Sequence, residues 1–194
     1  SVFEDQGKYY AFYAIRSIDG SPAKLSWSTS QDGIHFKKSG KFFSLSAPYD
    51  GSSAREPMVF AADGVLHMLL TTSIFQEGER RGCLSHLISD DLENWSPVEP
   101  ILIRPDSADD GSRRSPEPEC PDYFFRKGFY YLLAGENGIS RYQFSRKPYT
   151  DFITPENPVV GEDTLFVPKS ALWKDRLIFA GFKKIDERYG GRLY

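Results

Sequence analysis

Four times in 194 residues a short apolar run meets a two-residue polar turn and returns as a second apolar run. The repeats occupy residues 2–14, 58–70, 122–134 and 169–181, with Gln6-Gly7, Asp63-Gly64, Lys127-Gly128 and Lys174-Asp175 at their turns. Such dipeptides supply the positive-φ positions that a tight β-hairpin requires. The turn positions 7, 64, 128 and 175 are 57, 64 and 47 residues apart, and nothing between them reads as a long amphipathic helix. Self-similar all-β units at this period predict a β-propeller, whose blades are four-stranded sheets around a central channel. A β-sandwich with repeated hairpins is the competing architecture. Eleven Tyr and fifteen Phe, clustered in short runs, suit strands in either case.

A second repeat favours the propeller. The strand-like runs 25–30 and 84–89 end in Ser30 and Ser89, each followed two residues later by an Asp (Asp32, Asp91) and six residues later by an aromatic (Phe36, Trp95). The Asp is expected to bond the turn backbone while the aromatic folds back onto the blade. A looser version covers 142–152. Trp27, Trp95 and Trp173 read as blade core.

Two loops exceed what a propeller needs, 48–54 and 104–118, and each runs into a carboxylate motif. They are expected to rim a pocket. Asp106, Asp109 and Asp110 lack calcium-loop spacing, so they and Arg113-Arg114 read as a solvated loop. His35, His67 and His86 share no ligand or triad spacing, so neither a metal nor a cofactor is expected. Cys83 and Cys120 are too few for a disulfide framework and are expected as free thiols. The net charge of −3 gives no electrostatic basis for binding nucleic acid or an anionic membrane, and no apolar run reaches transmembrane length.

Glu56 stands eight residues before Gly64, and Glu119 nine before Gly128. These offsets predict that both carboxylates lie near one end of the innermost strand of their blades, opening on the axial channel. Two carboxylates at one concave site are what glycoside cleavage requires. Arg55 is positioned to pair with Glu56 or to hydrogen-bond sugar hydroxyls.

These residues resemble a known family. Glu119-Cys120-Pro121-Asp122-Tyr123-Phe124 resembles the Glu-Cys-Pro-Asp-Leu-Phe motif of glycoside hydrolase family 32, the invertases, levanases and inulinases. Arg55-Glu56-Pro57 resembles its Arg-Asp-Pro motif, and Ser1-Val2 the tail of its Gly-Ser-Ala-Val motif. Phe166-Val167-Pro168-Lys169-Ser170 is similar to its Tyr-Ala-Ala-Lys-Thr stretch, and Arg141-Tyr142 falls where it has Thr-Arg-Tyr. All occur in the family's order. The resemblance implies an all-β, five-bladed propeller, of which this chain covers blades two to four and the start of blade five. The blade-like units are about 1–45, 55–100, 117–153 and 164–194, all part of one catalytic domain.

The same resemblance implies a retaining β-fructofuranosidase acting on sucrose, levan or inulin. Glu119 would be the general acid/base, with Arg55 and Glu56 binding the sugar. The family's nucleophile, the Asp of an Asn-Asp-Pro motif, would lie upstream of Ser1. Two residues depart from the pattern: Glu56 replaces Asp, and Pro118 replaces the Trp before the acid. The partner implied is an oligo- or polysaccharide, and a polymeric substrate would favour an extracellular or periplasmic location. The alternatives are a furanosidase or xylosidase similar to family 43, whose acid motif is Glu-Gly-Pro, and a glycan-binding propeller without catalysis.

Overall fold

The computed structural model describes residues 1–104, 116–136, 138–161, 165–184 and 191–193. The chain divides into two compact units, Ser1–Pro118 and Glu119–Tyr194. The Asp106, Asp109 and Asp110 cluster and Arg113-Arg114 lie outside the described residues. Among the described residues the named elements are strands, apart from a 3₁₀ turn at Gly51–Ser53.

In the first unit, β1 (Val2–Asp5), β2 (Lys8–Ile15), β3 (Lys24–Ser30) and β4 (Lys37–Lys38) form one sheet. A second sheet contains β5 (Arg55–Ala62), β6 (Val65–Gln76), β7 (Glu79–Ser89) and β8 (Ser96–Ile103). In the second unit, β9 (Glu119–Arg126), β10 (Phe129–Glu136) and β11 (Ile139–Ser145) form a third sheet. The fourth holds β12 (Leu165–Trp173), β13 (Arg176–Lys184) and β14 (Gly191–Leu193). Neighbours in sequence are antiparallel neighbours in every sheet, so each is a meander.

The hairpins form where the turn chemistry demands. Asp63 and Gly64 sit at φ 52° and 76°, and the other three turns repeat this pair of left-handed residues. This is the two-residue turn whose twist matches that of paired strands. The Ser–Asp corners also form as expected. Asp91 Oδ1 accepts from the backbone N–H of Glu93 (2.9 Å) and Asn94 (2.7 Å), and Asp32 Oδ1 does the same for Ile34 and His35. The aromatic of the second corner folds inward: Trp95 meets Phe12 edge-on at 5.9 Å and donates to the Leu92 carbonyl. Phe36 of the first corner stays exposed, beside a β4 only two residues long that offers little apolar surface to cover it. Trp173 also departs from the expected core position. It lies exposed at the turn end of β12, with the Lys174 amino group 4.5 Å above its ring.

The first unit's core joins its two sheets. Phe12, Leu25 and Trp27 pack in one cluster with Val59, Met68, Leu70, Cys83 and Leu87. β6 is buried almost throughout, its apolar Met68, Leu69 and Leu70 being followed by the buried hydroxyls of Thr71, Thr72 and Ser73. Truncating Met68 or Leu70 to Ala would cost about 2–5 kcal/mol. Both cysteines are free, Cys83 buried in this core and Cys120 half-buried on β9.

Three first strands share one irregularity. Arg55 and Met58 of β5 pair with Thr71 and Leu69, so three steps on one strand face two on the other. Glu119 and Asp122 of β9 face Gly135 and Leu133 in the same way, as do Phe166 and Lys169 of β12 with Phe182 and Ala180. Each is a β-bulge, and each holds a non-glycine residue in the left-handed region followed by proline. These are Glu56 (φ 58°) before Pro57, Cys120 (52°) before Pro121, and Val167 (50°) before Pro168. Proline fits because the interrupted ladder does not need its missing N–H. Left-handed backbone costs a non-glycine residue roughly 1–2 kcal/mol.

A buried pair escaped the sequence reading. His67 on β6 and His86 on β7 stack at 5.1 Å, with Nδ1 and Nε2 2.8 Å apart. Phe60 covers the other face of His67. Burial, reinforced by the charge His67 would carry, pushes His86 down to about 4, and burial also lowers His67.

Two outcomes follow. An unfolded histidine takes up its proton near pH 6.5, whereas His86 in the folded protein does so only near 4. The unfolded state therefore binds more protons in that window, and stability falls by up to roughly 3 kcal/mol as pH drops through it. Urea midpoints between pH 7 and 4 should show this slope, and His86→Leu should reduce it; an unchanged slope would contradict the assignment. In the β9 bulge, Cys120→Gly should leave stability within about 1 kcal/mol of wild type, because relief of left-handed strain offsets the added chain entropy. Cys120→Val should cost about 1–2 kcal/mol more, since a β-branched residue tolerates this backbone least. Equal destabilisation by Gly and Val would count against strain at this position.

Candidate functional site

The loop 48–54 is fastened onto the far end of β6. Asp50 N–H donates to the Ser73 carbonyl and Phe75 N–H to that of Pro48, both at 2.8 Å. Thr72 Oγ1 donates to the Asp50 carbonyl (2.8 Å), and Asp50 caps the 3₁₀ turn through Ser52 N–H (3.1 Å). These bonds bring Asp50, Ser53, Arg55 and Ser73 together at the bulged start of β5.

The residues 116–118 join them. Gly82 on β7 faces this segment so closely that an added Cβ would stand 2.6 Å from the Pro116 carbonyl carbon and 2.8 Å from Glu117 Cα. A glycine at this point in a strand marks such a backbone approach. Thr71 Oγ1 lies 2.9 Å from both the Pro118 carbonyl and Glu56 Oε2, so its proton is shared between them. Glu117 is thereby delivered between two arginines. Its Oε2 accepts from Arg55 Nη1, and its Oε1 accepts from Arg80 Nη2 (2.6 Å) and Ser73 Oγ (2.7 Å).

The result is a chain of alternating charge. Asp50 Oδ2 accepts from Arg80 Nε at 2.9 Å; Arg80 and Arg55 clasp Glu117; Arg55 Nε stands 3.7 Å from Glu56 Oε1. Arg55 Nη1 also donates to the Ser53 carbonyl (3.1 Å). The Arg55 and Glu117 side chains are only 14% and 15% exposed, against 25% for Arg80 and 29% for Glu56, so the chain is most buried at its middle. Burial alone would raise the Glu117 carboxyl. The hydrogen bonds from Ser73 and Arg55, with the Arg55 charge, outweigh it and hold Glu117 below the usual carboxylate range. The Asp50 carboxyl is likewise raised by burial and more strongly lowered by Ser52 and Arg80. Groups held ionised in this way contribute stability above the ordinary carboxylate range and lose it as pH falls through the folded-state values.

Glu119 opens β9 in the second unit and is exposed. It borders a cavity of about 80 Å³ with Cys120, Gly135, Gly138, Ser140 and Phe166. Gly135 pairs directly with Glu119 and leaves the backbone beside it uncrowded. The bulge carrying Glu119 is braced from β12. Lys169 Nζ donates to the carbonyls of Cys120 (3.0 Å) and Pro121 (2.6 Å), and Ser170 N–H donates to Asp122 Oδ2 (2.8 Å). Asp122, 5% exposed, is thus a backbone anchor, and Lys169 holds the turn that aims Glu119.

Of the residues singled out in the sequence, Arg55 and Glu56 are neighbours in one charged cluster, while Glu119 belongs to the second unit. The expected equivalence of Glu56 and Glu119 is corrected by the register. About the bulges, Glu119 corresponds to Arg55, and Glu56 corresponds to Cys120. A strict count shows it, since Arg55 and Glu119 each stand nine residues before their turn glycine. Asp50, Ser73, Arg80 and Glu117 were not anticipated. The proline two residues after Arg55, Glu119 and Phe166 was the available signal for the bulges; nothing local announced Glu117.

No family model matches the chain, and no curated protein matches it. Solved structures do. A thermostable family-43 glycoside hydrolase is similar over 93% of this chain and 64% of its own, with 16% identity and a TM-score of 0.69. The Bombyx mori family-32 β-fructofuranosidase is similar over 96% of this chain and 43% of its own, with 13% identity and the same TM-score of 0.69. An α-L-arabinofuranosidase from Lactobacillus brevis matches over 96% and 66%, at 14% identity and a TM-score of 0.66. The chain therefore spans 64% of the first of these structures and 43% of the second. At such identities the likeness is one of fold: the chain shares the all-β fold of glycoside hydrolases of both families.

Proposed function

We propose that this chain carries the acid/base and part of the sugar-binding apparatus of a retaining glycoside hydrolase built on a five-bladed propeller. The substrate class is a furanoside, with a β-fructofuranosidase of sucrose, levan or inulin as the first reading. The observation that carries this is the shared bulge. Arg55 and Glu119 occupy one register position in β5 and β9, each ahead of a left-handed residue and a proline, as the Arg-Asp-Pro and Glu-Cys-Pro resemblance requires. The likeness in fold to glycosidases of families 32 and 43 supports it.

In this reading Glu119, protonated, gives its proton to the leaving oxygen as the glycosidic bond breaks. A second carboxylate, acting as nucleophile, takes the anomeric carbon. Glu119, now ionised, then removes a proton from the water that releases the sugar. Glu117 cannot be the acid, because the partners that clasp both of its oxygens keep it deprotonated. Arg55 and Glu56 bind sugar hydroxyls. Glu56 reaches one methylene further than the Asp it replaces, and the Thr71 hydroxyl takes up Oε2. Where the family has Trp, Pro118 is buried with its carbonyl held by the same hydroxyl. The chemistry needs carboxylates and water and no cofactor.

One observation favours a second reading, a furanosidase of the family-43 type. Cys120 stands at φ 52°, a backbone conformation natural to glycine, so Glu-Cys-Pro and Glu-Gly-Pro are conformationally interchangeable here. Substrate separates the two. The full-length protein should release fructose from sucrose, levan or inulin, and Glu119→Gln should lower kcat by about 10²–10⁴. Cleavage of aryl arabinofuranosides without any fructan hydrolysis would give the assignment to the second reading. Binding of glycans with no turnover, or full activity in Glu119→Gln, would remove the catalytic proposal altogether.

A further inference from the structure

Glu117 lies outside every motif of the family resemblance, yet its side chain ties together Arg55, Arg80 and Ser73 of the first unit. Both of its oxygens are committed: Oε2 to Arg55, and Oε1 to Arg80 at 2.6 Å and Ser73 at 2.7 Å. The protein also makes room for it, through Gly82 on one side and the Thr71 hydroxyl on the Pro118 carbonyl. A carboxylate this buried and this engaged directs its charge at the arginines it holds, and its effect passes through them.

We infer that Glu117 is a positioning residue that holds the Arg55 guanidinium back from Glu56, leaving both groups disposed toward a sugar; this rests on the sugar-binding reading of Arg55 and Glu56. The geometry gives the reason. Arg55 makes a close, charge-assisted bond to Glu117 and a second to the Ser53 carbonyl, but stands 3.7 Å from Glu56, beyond hydrogen-bond distance. Two carboxylates compete for one guanidinium, and Glu117 wins because Arg80 and Ser73 fix it in place, with Asp50 fixing Arg80 in turn. If Glu117 loses its charge, the Arg55 guanidinium loses its closely bonded carboxylate, and Glu56 stands 3.7 Å away. Arg55 then swings onto it, forming a closed pair at the surface end of the chain, and both must be pulled apart before a hydroxyl can bind. The residue therefore governs substrate affinity more than turnover.

The test is a double-mutant cycle in the full-length protein, measuring kcat and KM on whichever of sucrose, inulin, levan or an aryl arabinofuranoside the wild type cleaves. Glu117→Gln should raise KM about 10-fold, the value of one charge-assisted hydrogen bond, with kcat changed by less than about 3-fold. In an Arg55→Ala background the same substitution should add nothing, since there is no guanidinium left to hold. Should Glu117→Gln fail to fold, Ser73→Ala, which loosens Glu117 without removing its charge, should raise KM about 2–3-fold. A lowered melting temperature with unchanged KM, or losses that multiply in the double mutant, would make Glu117 merely structural and overturn the inference. An unchanged KM in Arg55→Ala alone would instead sink the sugar-binding reading beneath it.

Discussion

Three first strands of this chain must bend before they can pair, and the bend is enforced by a left-handed residue followed by proline. Glu56-Pro57, Cys120-Pro121 and Val167-Pro168 each insert one extra residue into the ladder at the start of the strand. A regular strand alternates its side chains between two faces. The bulge breaks that alternation once, so the residue just ahead of it is re-aimed relative to the apolar residues that follow. Arg55, Glu119 and Phe166 occupy that position. The conformational strain is offset locally: in β9 by Lys169 on the Cys120 and Pro121 carbonyls, and in β5 by the Thr71 hydroxyl on Glu56. Strained backbone held by its surroundings is a recurring property of functional sites.

In the first unit the bulge also serves as the end of an electrostatic relay. Asp50, Arg80, Glu117, Arg55 and Glu56 alternate in sign, with Glu117 and Arg55 the most buried of the five. Partly buried charges are tolerated when each is hydrogen-bonded as well as paired, and this condition is met by Ser52, Ser53 and Ser73. The relay is both a structural element and the means by which the largely buried Arg55 guanidinium keeps one orientation.

Much of this was legible in the sequence because it is encoded locally. The hairpin turns follow from adjacent residues able to take positive φ, and the Ser–Asp corners from side chains that bond backbone two or three residues away. The meander follows from those turns. Register was less legible: Glu56 and Glu119 stand eight and nine residues before their turn glycines, and the bulge gives that one-residue difference its meaning by putting Arg55 in the matching place. The relay was not legible at all. Glu117 meets Arg80, Ser73 and Arg55 across 37, 44 and 62 residues, and no periodicity reports such contacts. His67 and His86 share no spacing that announces a contact, yet they stack diagonally across the β6–β7 pair. Phe36 and Trp173 misled in the other direction, since aromatic character alone does not say whether a neighbouring strand is long enough to cover a ring.

The central claim is that Glu119 donates and removes the proton in a retaining glycosidase. It is tested most directly by chemical rescue of Glu119→Ala in the full-length protein, using an aryl furanoside whose leaving group needs no protonation. With the acid/base gone, the glycosyl-enzyme should form but turn over slowly. Azide, which needs no general base, should restore turnover and yield a glycosyl azide of retained anomeric configuration. Turnover that is unaffected by the substitution, or a deficient variant that azide fails to rescue, would contradict the role assigned to Glu119.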